Sequence, residues 1–145
     1  MTTAPPSLID SDDGRLAERL VSVIRAHFPQ VMAIYAFGSQ VQGSANAQSD
    51  LDLAVLVAGY ADPLALWDMS GTLADVVNCP VDLLDLRAAS TVMQYQVITT
   101  GRRLWSAGLS ADLFECFVLS EKTALDEARA PLLADIAKTG RIYAR

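Results

Sequence analysis

The chain has 145 residues, of which 52% are hydrophobic and 19% charged: enough for one domain with its own core, and too apolar for a disordered chain. Its formal net charge of −6 argues against binding duplex nucleic acid through phosphates and suits a site that works through bound cations. Two cysteines, Cys79 and Cys116, have no metal or redox spacing and read as reduced core thiols, and the single histidine, His27, leaves little room for a Ser-His-Asp or Cys-His mechanism.

Residues 1–10, with Pro5-Pro6, read as a flexible arm, and residues 11–145 as a single domain. The opening stretch MTTAPPSLIDSDDG lacks the basic and apolar regions of a secretory leader, and no apolar run reaches membrane-spanning length, so the expected location is cytoplasmic. Leu16, Leu20, Ile24 and Phe28 recur every fourth residue and predict a helix from about Asp12 to Phe28, stopped by Pro29. VMAIYAF, Val31 to Phe37, reads as a strand ended by Gly38; LDLAVLV, Leu51 to Val57, and PVDLLDL, Pro80 to Leu86, read as two more. Between these last two, Asp62 is a plausible N-cap with Pro63 in the first helical position, and Gly71 weakens the helix without breaking it. Trp67 and Trp105 read as core aromatics. A further helix is expected from a Ser90 cap to Gly101, then a short strand, Arg102 to Trp105, with Arg102-Arg103 as its solvated start. Residues 109–145 form a C-terminal helical segment, with Leu113, Phe117 and Leu125 among its apolar positions and Pro131 marking a break or a new helix start. The order α-β-β-α-β-α-β-α predicts an α/β or α+β domain with helices packed on a small sheet.

The chemistry concentrates in FGSQVQGSANAQSDLDL, residues 37–53. On a strand, Asp50 and Asp52 project to one face while Leu51 and Leu53 take the other. Two carboxylates so placed repel one another, and no Lys or Arg between His27 and Arg87 can neutralise them. A divalent cation taking oxygen ligands would. Asp82 and Asp85 lie three apart and point to opposite faces, so only one can join the pair; Asp82, inside the apolar run, is the choice. Three carboxylates from two strands would hold two metal ions in the arrangement phosphoryl transfer uses. Gly38 permits close approach of a phosphate, which backbone N–H groups and the Ser39 hydroxyl can bond. Ser49 either bonds a phosphate or caps the turn.

Gly38-Ser39, ten residues, then Asp50-x-Asp52 resembles the signature of the DNA polymerase β-type nucleotidyltransferase superfamily. The short length, and VDLLDL followed by a helix and GRRLW, resemble its minimal branch, the MNT proteins, over about residues 14–106. The resemblance implies a mixed sheet flanked by helices, Mg²⁺ on Asp50, Asp52 and Asp82, and a triphosphate held by Gly38 and Ser39. It implies that Asp82 assists the incoming hydroxyl, and that the reaction transfers AMP from ATP to a tyrosine of a partner HEPN-domain ribonuclease toxin, in a hetero-oligomer. Stoichiometric capture of the toxin and modification of a small molecule such as an aminoglycoside are the alternatives. One position departs from many relatives, where an Arg precedes the glycine five residues after Gly38; here it is Gln42, before Gly43. Arg87 and Arg102 are then candidates to supply positive charge.

Overall fold

The computed structural model describes residues 15–42 and 50–139. The arm expected over residues 1–10, Gly43, Ser49 and the side chain of Gln42 lie outside the described residues. The elements in order are α1 (Arg15–His27), β1 (Val31–Phe37), α2 (Ser39–Gln42), β2 (Leu51–Val57), α3 (Pro63–Val77), β3 (Val81–Asp85), α4 (Thr91–Thr100), β4 (Arg102–Ser106) and α5 (Leu109–Thr139). The short α2 is the one element the periodicity did not announce, because a single turn carries no periodic signal.

The strands form one mixed sheet in the order β3-β2-β1-β4. β1 runs antiparallel to β2 and β4, while β2 and β3 are parallel, joined by α3 as the crossover that parallel neighbours require. β1 and β2 occupy the centre and are covered on both faces, which is why β1 reads as an apolar run and β2 as one broken only by Asp52. Leu20 and Ile24 of α1 and Met69 and Leu73 of α3 pack on Ile34, Leu53 and Val55 on one face. Val97 of α4 and Ala111, Phe114 and Val118 of α5 pack on Ala33, Tyr35 and Leu56 on the other.

The caps follow the sequence. The Asp62 side chain accepts from Leu64 N–H and Pro63 opens α3, which Asn78 closes in the left-handed conformation. Ser90 accepts from Met93 N–H to start α4. Three expectations are corrected. Pro131 neither breaks α5 nor starts a new helix: the helix runs through it, because propagation from both sides outweighs one lost hydrogen bond. Trp67 is not a core aromatic; it stands 77% exposed on the outer side of α3. Cys116 is exposed and no core thiol, while Cys79 is half-buried. In α5 the core-facing residues are Ala111, Phe114 and Val118, and Leu113 and Phe117 face outward.

Candidate active site

The sheet register brings the aspartates to one end of the molecule. Asp52 lies beside Asp82 across the parallel β2–β3 pair, and beside Phe37, the last residue of β1, on its other side. Laterally paired residues share a face, so Asp52 and Asp82 project together on the face covered by α4 and α5. Asp50 sits two residues before Asp52, just ahead of the strand, while Leu51 and Leu53 are fully buried on the opposite face. Asp50 and Asp82 are exposed and Asp52 is half-buried.

The glycine that ends β1 is fixed by this arrangement twice over. Gly38 has φ +77°, a conformation that side chains with a Cβ rarely adopt. A Cβ at this position would also overlap Asp52 Oδ2 and stand 3.2 Å from its Cγ. The Gly38-Ser39 turn therefore lies directly against the Asp52 carboxylate. Ser39, half-buried, opens α2, whose turn closes with Val41 N–H donating to Gly38 C=O at 3.1 Å.

Electrostatically the site is unbalanced. Burial, then the Asp82 and Asp50 charges, hold the Asp52 carboxyl above the ordinary aspartate range. Residues 28–86 contain seven Asp and no Lys, Arg or His. Among the described residues, no group of three or more His, Cys, Asp or Glu is gathered tightly enough to hold a metal ion as it stands. The donor set still fits a hard divalent cation: oxygen ligands only, on adjacent strands, repelling one another with no counter-charge on either strand. Cys79 sits at the edge of the same group, its thiol pushed up mainly by burial and further by Asp50. Neither the pattern nor the spacing in the sequence signalled that proximity.

Asp85 does something else. It is buried, its carboxylate accepting from Ala61 N–H at 2.9 Å and Arg87 N–H at 3.2 Å, and so ties the β2–α3 connection to the end of β3. Arg87 is corrected as a source of charge for the site. Its Nε donates to Val57 C=O, at the far end of β2 from Asp52, and its guanidinium lies over the Phe114 ring. Arg102 lies at the aspartate end of the sheet, but its register partner is Ala36, on the opposite face from Asp52. Arg103 is committed to Asp112 and Glu115 of α5 at 2.7 and 2.8 Å.

A cluster of carboxylates on two adjacent parallel strands, faced by a glycine-serine turn, can bind cation-bridged phosphates and take a proton from an attacking hydroxyl. Known proteins carry the same arrangement of elements. Residues 18–108 match the family described as "Polymerase beta, Nucleotidyltransferase". The "Protein adenylyltransferase MntA" of Shewanella oneidensis is 36% identical over 118 residues, covering 81% of this chain and 85% of that protein. A crystal structure of a toxin-antitoxin with AMP-PNP superposes with TM-score 0.75 at 36% identity, over 83% of this chain and 98% of the other. A structure of the tri-AMPylated Shewanella oneidensis HEPN toxin in complex with MNT antitoxin gives TM-score 0.70 at 32% identity, over 85% and 97%.

Proposed function

The chain belongs to the polymerase beta nucleotidyltransferase family, and on that premise we propose that it is an antitoxin that transfers AMP from ATP to a tyrosine hydroxyl of a partner HEPN-domain toxin. The observation that carries the reading is the register that sets Asp52 beside Asp82 and Gly38 against Asp52 at one end of the sheet. The relatives supply the class of reaction: one is named a protein adenylyltransferase, and another is an MNT antitoxin in complex with an AMPylated toxin.

In this reading Asp50, Asp52 and Asp82 hold Mg²⁺, with two ions as in related phosphoryl transfers. When bound, the metal neutralises phosphate charge and makes the α-phosphorus more electrophilic. Gly38 lets the triphosphate approach the backbone, and the Ser39 hydroxyl and neighbouring N–H groups bond its nonbridging oxygens. Ser49 is assigned to the same phosphates. Asp82, exposed on the edge strand, faces the acceptor and takes the tyrosine proton as the phenolic oxygen attacks. The P–O bond to the β-phosphate breaks and pyrophosphate leaves. Among the described residues no helix is long and apolar enough to cross a membrane.

The test is to incubate the chain with ATP, Mg²⁺ and a HEPN-domain toxin from its own source, and to weigh that toxin by mass spectrometry. Gain of adenylyl units, abolished in an Asp50→Asn, Asp52→Asn variant, is expected. A second reading, neutralisation by capture alone, draws on Trp67 and Leu64 standing 77% and 73% exposed. It predicts instead that the doubly substituted variant still protects cells from the toxin.

A further inference from the structure

α3 is apolar on two sides. Met69, Leu73 and Val77 face the core. Leu64, Trp67, Gly71 and Ala74 follow a 3-4-3 spacing on the other side, the repeat by which one helix seats another. Leu64 and Trp67 are 73% and 77% exposed, and Trp67, Gly71 and Ala74 line a groove that continues onto Pro80 and Val81. A helix apolar on both sides normally has both sides covered.

Gly71 points the same way. A glycine in the middle of a helix costs about 1 kcal/mol relative to alanine. Nothing among the described residues asks for it, since a Cβ there would meet no atom of theirs within 4 Å. A notch that no internal neighbour fills is suited to close approach by a helix from outside. The charges choose that helix. Asp68 and Asp75, both exposed and seven residues apart, border the seam, and no Lys, Arg or His lies anywhere from residue 28 to 86. A second copy of this chain would bring Asp68 and Asp75 against their own counterparts, so self-pairing is disfavoured.

We propose that the outer side of α3 is the docking seam for the acceptor protein, which seats on it an amphipathic helix with an apolar face and Lys or Arg flanks. The inference rests on the reading of the chain as a protein adenylyltransferase and gives it a recognition surface. The groove ends at Val81, the residue before Asp82 at the same end of the edge strand β3, so a protein seated along α3 needs to reach only around that edge to meet the carboxylates on the other face of the sheet. Two variants test it, Trp67→Glu and Gly71→Leu. The second fills the notch with a better helix former, so its fold is secure.

The full chain and each variant are titrated against a HEPN-domain toxin from its own source by calorimetry, with ATP binding measured in parallel. Both variants are expected to bind that protein about tenfold more weakly or worse, as for an interface anchor, while binding ATP as the wild type does. Asp68→Lys with Asp75→Lys is expected to weaken association further in low salt than in high salt. Undiminished affinity in both seam variants overturns the inference alone. Wild-type complex formation without adenylyl transfer overturns the functional reading alone, and absence of any complex overturns both. A wild-type chain that is dimeric by itself and becomes monomeric as Gly71→Leu would show the seam to be a self-interface, which also overturns the proposal.

Discussion

Gly38 and Asp52 define each other. The turn needs a positive φ and the carboxylate needs the space a Cβ would fill, so Gly38→Ala meets two penalties at once. We expect it to lower stability by about 1–2 kcal/mol, measured by urea unfolding, and to reduce adenylyl transfer more than stability alone would explain. Asp52 carries a different signature. Its folded-state pKa is raised, so the folded chain binds that proton more tightly than the unfolded chain. The group's contribution is therefore best at low pH and worsens as pH rises from about 4, the ordinary aspartate value, through the raised one. Asp52→Asn should raise the melting temperature of the metal-free chain at neutral pH and flatten its slope over this window; an unchanged slope would contradict the raised pKa that burial and the neighbouring charges impose. The positions of Asp50 and Asp52 were legible because strand alternation depends only on spacing. The closeness of Asp82 was an alternation argument too, and the register sets it beside Asp52 while Asp85 turns to the Ala61 and Arg87 amides. The Cys79–Asp50 proximity was not legible, since it depends on how the loop before β3 folds back on Leu51.

At the scale of elements, the strands and capped helices were readable because each has a local cause: an apolar run, a Ser or Asp cap, a glycine stop. What the sequence concealed was which side of an element meets its neighbour. α3 and α5 have apolar residues on more than one side, so periodicity alone could not tell Met69 from Trp67, or Phe114 from Phe117. The placement of α5 is settled by a polar contact instead. Tyr35, buried in the central strand, donates to Glu115 Oε2 at 2.7 Å, and Glu115 also pairs with Arg103 of β4. Burial, then the Glu115 hydrogen bond, drives the Tyr35 phenol well above its usual range. Tyr35→Phe should cost about 1 kcal/mol without unfolding the chain, because Arg103 still holds Glu115. The unfolded phenol ionises near pH 10 while the folded one stays protonated, so wild-type stability from this group is complete below that pH and is lost as pH rises above it. The Phe variant should lack that alkaline loss, and chemical denaturation at pH 8 and above 10 would show the difference.

For the whole molecule, stability is unevenly distributed along the chain. The family match ends at residue 108 and α5 begins at Leu109, so the helix lies beyond the matched segment. Its first third belongs to the core through Ala111, Phe114 and Val118. Lys122 still touches the body, its ammonium 4.8 Å from the Tyr95 ring centroid, but residues 126–134 are all exposed. α5 passes Arg87 at Phe114 and Tyr95 at Lys122, and so advances in the same direction as α4, whose last residue leads to Gly101 at the aspartate end of the sheet. The same kind of substitution should then have unequal effects along one helix. Val118→Ala removes two fully buried methyl groups and leaves a gap between α5 and the sheet, a loss of about 1–3 kcal/mol. Leu132→Ala, more than half exposed at 54%, removes more carbon yet should change stability by less than about 0.5 kcal/mol. Urea midpoints of the two variants measure this directly. Equal losses would mean that the distal turns of α5 fold back into the cooperative unit, and that the core extends well beyond the nucleotidyltransferase module.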